Sequence, residues 1–415
     1  MSIAKRRPLR SFLLFILLFK YALIPVLAQE KKLLRKGDFT SEIKDFKRSS
    51  LLTLMIETPE KEQLKSIKNA FKKTSISKKF NEHEVGVSFL TINGEAKDQS
   101  YTIQQRLKEL DLAKKLIAKW FNRTKNGTFD VALIKERGLY NASAFDIQIA
   151  KNTLRGNAML ADAGEHLIAN TFVVVNDYKY TNKEEVVSKS KNILSDISLL
   201  IGNKSSSNVV MAADAFGKGY VIKTTSYLYR LVWDEETSNT FYETFWTTKK
   251  NYDEAKVKAF NETDIFRLEY IGKQDSWSDV QSTKYTSKTD AQLIERATIK
   301  ASDASLSKLE RKFEVFRTKT ALIGVEPLAA EIGLKEGLVK GDKFEVLEQV
   351  LLENGTIDYK KITEITVDHN QIWDNSYLPE EIPASDIDFT VFKGNSKKLY
   401  PGMLIRFKKN QNLFK

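Results

Sequence analysis

The most constraining feature of this chain is the junction at residues 143–178, where a helical pattern runs straight into Thr171-Phe-Val-Val-Val175. That pentapeptide is too β-branched for a helix and too continuously apolar for a strand with one wet face. It predicts a central strand covered on both sides. Upstream, Ser143 and Asp146 match the capping pattern in which two side chains satisfy the N–H groups of a first helical turn. Ala150, Leu154, Ala158, Ala161 and Ile168 follow at helical spacing, with Gly164 in the gap. The stripe is small in its middle, so another backbone can approach there; Gly156 can break the helix in two, and Asn170 offers a stop.

No proline occurs between Pro59 and Pro327, which suits long regular elements better than a turn-rich β protein. The periodicity predicts helices over Glu60–Lys73, Tyr101–Phe121, Phe129–Arg137 with Gly138 as C-terminal cap, Asn182–Ile201, Glu254–Phe260 and Asp290–Lys312. Strands are expected at Val85–Ile92 and Ile265–Ile271. A hairpin is expected from Tyr220–Trp233 and Thr240–Trp246 around a tip at Asp234–Asn239. Near Phe313 the character changes: glycine and proline return, and short β runs appear at Glu314–Arg317, Ala321–Val325, Lys343–Glu348, Ile357–Lys361 and Leu404–Phe407. Asn354-Gly355 marks a hairpin between two of them. With 415 residues exceeding what one core usually serves, the expected class is α+β. An N-terminal domain to residue 312, a mixed sheet with packed helices, is followed by a small all-β barrel or sandwich at 313–415.

The first 28 residues read as a signal peptide. A basic opening (Lys5, Arg6, Arg7, Arg10) precedes an apolar run from Phe12 to Leu27, interrupted by Lys20, and Val26-Leu27-Ala28 fits a signal peptidase pocket. Zero cysteines exclude a disulfide framework. The net charge of +12 is partly carried by that leader, and the remaining excess is interleaved with acids rather than clustered as in arms that grip nucleic acid.

The run LADAGEHLIANTFVVVND, the segment GYVIKTTSYLYRLVW and the C-terminal pair GLKEGLVKGDKFEV and KLYPGM together resemble a group of uncharacterised exported proteins of the Bacteroides group of Gram-negative bacteria. The resemblance spans most of the mature chain and implies an exported address, periplasmic or outer-membrane-associated. It brings no reaction and no ligand. The helix entering a strand in ADAGEHLIANTFVVV is also similar to envelope-assembly proteins such as the curli secretion subunit.

Three histidines, His83, His166 and His369, and no thiol leave a narrow chemistry. One cluster is Asp162, Glu165 and His166, with Asp177 at the end of the following strand. Asp162 and His166 share a helix face, close enough to share a metal or a proton, or simply to form an i,i+4 ion pair. Asp368, Asn370 and Asp374 offer oxygens of the kind calcium takes, or ordinary turn chemistry. Tyr227, Tyr229, Trp233, Phe245 and Trp246 would make a partner surface if exposed, and cross-strand packing if not. The expected function is a non-enzymatic exported envelope protein that binds or scaffolds another component, without cofactor or nucleic acid. Its partner would be a protein or glycan of the envelope, with or without peripheral membrane attachment. The rival is a carboxylate-dependent hydrolase acting on cell-wall or glycan material. Protein purified from its native host should begin at Gln29 by mass spectrometry; an intact Met1 would refute the leader reading.

Overall fold

The computed structural model describes residues 47, 49–57, 64–92, 99–141, 165–182, 220–279, 289–351, 357–368, 371–376 and 387–408. Outside these lie the leader and its cleavage site, the Ser143–Asp146 cap with most of the helix expected after it, the body of the helix expected from Asn182 to Ile201, and the Asn354-Gly355 turn.

The sheet is organised on two parallel strands, β1 (Ser49–Glu57) and β4 (Thr171–Asn182), paired from Ser50↔Thr171 to Met55↔Asn176. Beyond β1, β2 (Phe80–Glu82) and β3 (Phe89–Thr91) pair with its two ends, also parallel. Beyond β4 lie β5 (Tyr220–Leu231) and β6 (Leu268–Asp279), each antiparallel to its neighbour. The sheet is therefore mixed. Side chains alternate across it: Leu52, Leu54, Ile56, Val173, Val175 and Tyr229 bury on one face, and Leu51, Phe172, Val174 and Leu228 on the other. The continuous apolar reading of Thr171–Val175 has its cause here, because both faces of β4 are dry.

Seven α-helices occur among the described residues: α1 (Leu64–Lys73), α2 (Ser100–Glu109), α3 (Leu112–Trp120), α4 (Ala132–Asn141), α5 (Glu235–Thr240), α6 (Glu254–Glu262) and α7 (Asp290–Lys312). Residues of α2, α3, α4 and α6 pack on the first face, and those of α1 and α7 on the second. Helix α7 has the expected bounds, started by a reciprocal cap: Gln292 N donates to Thr289 Oγ1 at 3.4 Å and Thr289 N to Gln292 Oε1 at 2.9 Å. Its contact with the sheet is partly polar. Tyr180 meets Thr298 at 2.8 Å and Tyr178 meets Ser302 at 2.7 Å, hydroxyl to hydroxyl. Asn176 Oδ1 accepts from Ser305 Oγ at 3.3 Å and from Ser226 Oγ at 2.6 Å. None of the described helices is long and apolar enough to cross a membrane.

Several expectations are corrected. Strand β1 was not anticipated. Tyr101–Phe121 is two helices, split where Asp111 adopts the left-handed region at φ 50°, which Asp tolerates better than most residues. The second arm of the expected hairpin is helical: Asp234 Oδ1 accepts from Thr237 N at 2.9 Å, opening α5, and a π turn at Phe241–Phe245 follows. Gly138 lies inside α4 rather than capping it, and Glu314–Phe316 is a 3-10 turn. The edge strand β6 is guarded, since Lys312 Nζ donates to Lys273 O at 2.8 Å and Gln274 Nε2 to Asp275 O at 2.8 Å. A bulge adds to this at Gly272, whose φ of 152° and contact with the Phe313 ring exclude a side chain.

The C-terminal strands β7 (Thr320–Val325), β8 (Leu328–Ala330), β9 (Lys343–Leu351), β10 (Ile357–Val367), β11 (Thr390–Lys393) and β12 (Leu404–Phe407) close into an antiparallel barrel in the order β10-β11-β8-β7-β12-β9. Its centre is made of its own residues, among them Leu322, Phe344, Val346, Ile365, Phe392 and Ile405. Two measurements test this packing. Leu54→Ala, at a fully buried site on β1, should cost about 2–5 kcal/mol in urea unfolding. A fragment of residues 313–415 should give a dispersed amide spectrum; a collapsed spectrum would show that the barrel borrows its core from the sheet.

Candidate functional site

A cleft of about 460 Å³ lies between the α2–α3 turn and the segment Thr263–Leu268 that leads into β6. This is within the range of small-ligand sites. Its floor is apolar, from Leu107, Leu112, Phe266 and Leu268, and its rim is polar. Asp111 sits 3.2 Å from Lys114, which also donates to Asn261 O and Thr263 O at 3.0 and 3.1 Å. Across the rim, Lys108 lies 3.7 Å from Asp264. Ile265 reaches solvent beside them, 39% exposed, and Tyr101, one turn before Gln104 on α2, is 71% exposed.

The cluster expected around His166 is not assembled by the described residues. Glu165 accepts from Ser238 Oγ at 2.9 Å, and His166 is exposed. Asp177 is buried in β4 opposite Thr225, six residues past Thr171, hence roughly 20 Å along the strand. Asp162 lies outside the described residues. Of the calcium candidates, Asp368 lies 3.2 Å from Lys393 Nζ, and Asp374 accepts from the backbone and hydroxyl of Ser376, as in a turn. Asn370 is not among the described residues. Within the described residues no group of three or more His, Cys, Asp or Glu is placed to hold a metal.

The aromatic residues considered as a partner surface lie in the core instead. Tyr227, Tyr229 and Phe245 are buried, and Trp233 and Trp246 pack half-buried against the cluster of Phe121, Phe129, Phe241 and Phe260. Phe121 and Phe241 stack at 4.2 Å. The helical turn at residues 241–245 is what brings Phe241 and Phe245 inward together.

Two polar constellations had no local signal, because their members come from distant segments. In the first, Arg137 of α4 is buried beneath Trp120, its guanidinium 4.5 Å from that ring. It donates to Ser50 Oγ at 2.9 Å, to His83 Nδ1 at 2.6 Å and to Glu82 O at 3.0 Å. His83 Nε2 faces Leu116 O at 3.0 Å, so the proton must sit on Nε2 and the ring is neutral. Burial, and then the Arg137 charge, depress its pKa to about 3. With both nitrogens engaged, this imidazole is not a base for an outside substrate. Arg137 and His83 together tie α4 to β1, β2 and α3.

The second lies where α7 meets the barrel: Asp303 and Glu310 of α7, Lys335 and Glu336 from the barrel, and Lys79 before β2. The recess beside Glu310 and Glu336 measures about 30 Å³, room for a water rather than a sugar ring. No protein-family model matches the chain, and no curated protein matches it.

Arg137→Met should cost about 2 kcal/mol or more in urea unfolding, since it leaves the buried acceptors Ser50 Oγ and His83 Nδ1 without their donor at about 1–3 kcal/mol each. Nitrogen NMR should find His83 neutral, protonated at Nε2, from pH 8 to 5. Because its folded pKa is depressed, its contribution to stability is whole above pH 6.5 and is lost as pH falls towards 3.

Proposed function

We propose that this chain is a non-enzymatic exported protein of the cell envelope, which binds or scaffolds another envelope component at the α2–α3 cleft. The observation that supports this reading is the state of the cleft's charges: each carboxylate on the rim already has an ammonium partner, above an apolar floor flanked by exposed Ile265. A site of this kind offers contact area and hydrogen bonds to a surface or an extended segment. The resemblance to exported Bacteroides-group proteins and to envelope-assembly proteins supports the exported address.

The rival, a carboxylate-dependent hydrolase acting on cell-wall or glycan material, would draw on Asp111 and Asp264, which line the same cleft. The two readings predict opposite mutants. With a photo-crosslinker at Tyr101 in the native host, binding should yield one discrete adduct. Ile265→Arg should weaken it by about tenfold or more, the equivalent of about 1.4 kcal/mol, and Asp111→Asn with Asp264→Asn should leave it. If the double Asn variant is stable and exported yet abolishes the phenotype, while Ile265→Arg is silent, the hydrolase reading replaces the binding one.

A further inference from the structure

The seat of the barrel on α7 is built from more acid than base. Three carboxyl groups, Asp303, Glu310 and Glu336, meet two ammonium groups, Lys79 and Lys335. The side chains of Asp303, Glu310, Lys79 and Lys335 are each only about a tenth exposed, at 12%, 12%, 11% and 10%. The nearby guanidinium of Arg311 is matched by Asp342, which it grips through both nitrogens at 3.2 and 2.7 Å. Among the described residues one carboxyl is therefore in excess.

The hydrogen bonds identify which one. Glu310 takes Lys79 Nζ at 2.5 Å and Thr318 Oγ1 at 3.4 Å. Glu336 accepts from Ser77 Oγ at 2.6 Å, Gly333 N at 2.7 Å and Asn375 Nδ2 at 2.8 Å. Among the described residues Asp303 has only Lys335 Nζ, at 3.9 Å. That ammonium is turned to Ser75, whose carbonyl and hydroxyl oxygens accept from it at 2.7 and 2.9 Å. The seat is also tight: Gly337, with φ 68°, lies so close to Ser307 of α7 that a side chain there would collide with its hydroxyl.

We propose that the α7–barrel seat is a proton-operated clasp: Asp303 is accommodated as the neutral acid, and its ionisation loosens the loop bearing Lys335 and Glu336 from α7. Among the described residues the groups facing Asp303 are Lys335 and Glu336 from the barrel and the Tyr178 phenol from β4. On α1, Lys73 is paired instead with Glu295, two turns earlier on α7. Burial raises Asp303 from 3.8 to about 7, against the opposing pull of Lys335, and burial moves Glu310 in the same direction. An acid whose pKa is raised in the closed state binds more proton there, so closure is favoured by acid. It weakens as pH climbs from about 4 through about 7.

The test uses the full chain. Carbon NMR should show one aspartate carboxyl, identified by its loss in Asp303→Asn, titrating with a midpoint near 7; a midpoint near 4 overturns the proposal, and this needs no variant that retains the seat. Amide exchange at Glu336 and Leu338, corrected for intrinsic rate, should lose about tenfold or more of its protection between pH 6 and 8.5. The inner barrel amide of Val346 should not. In Asp303→Asn the loss should vanish. Unchanged protection in the native chain, an equal loss at Val346, or the same loss in Asp303→Asn would each overturn it.

Discussion

Everything in the sheet depends on the pairing of β1 with β4. Both strands are dry on both faces between Leu51 and Leu54 and between Phe172 and Val175, apart from Thr53, so their backbone groups have no water to turn to and must bond to neighbouring strands. Two flanks follow from that need: β2 and β3 beyond β1, and β5 with β6 beyond β4. The same dryness requires helices above and below, and the alternation of Leu52 and Leu54 with Leu51 and Met55 sorts them into two layers. The parallel pair is distant in sequence, so loop-closure entropy opposes it until both layers of helix can pack.

That distance explains what could be read from the sequence and what could not. Helix α7 and strand β4 were legible because their evidence is local: a cap at Thr289–Gln292 and a β-branched run at Thr171–Val175. Strand β1 was not, since Ser49–Glu57 has no turn signal of its own and its longest pairing is with β4, which begins more than a hundred residues away at Thr171. The run Phe241–Trp246 misled because its aromatic density suits a strand. The deciding contact is the cap at Asp234, which sets helical spacing and places Phe241 and Phe245 on one side.

The candidate sites show the same division. Charged residues chosen by spacing along one segment do not converge: Glu165 bonds Ser238, Asp368 pairs with Lys393, Asp374 holds a turn at Ser376, and His166 is exposed. Those that gather in space, Arg137 with His83 and Asp303 with Lys335, come from separate elements, and no spacing rule connects them. The cleft likewise joins two segments, the Asp111 turn and Thr263–Leu268, that approach only because α2 and α3 cover the face from which β6 departs.

The hydroxyls between α7 and the sheet act as a ruler. Thr298, Ser302 and Ser305 each find a particular partner in Tyr180, Tyr178 and Asn176. Sliding the helix by one turn would bring Leu306 to the Tyr178 phenol. Apolar contacts alone would tolerate such a slip far better, because one aliphatic side chain replaces another at little cost. Since α7 is a continuous rod of 23 residues, the alignment fixed near its middle is carried to its far end. A slip of one pitch, about 5.4 Å, would draw Glu310 from Lys79 and Arg311 from Asp342 together. The barrel's bearing on the rest of the molecule is thus set by three small hydroxyl groups that it does not touch, and polishing them to alanines would trade a unique alignment for a greasier, less decided one.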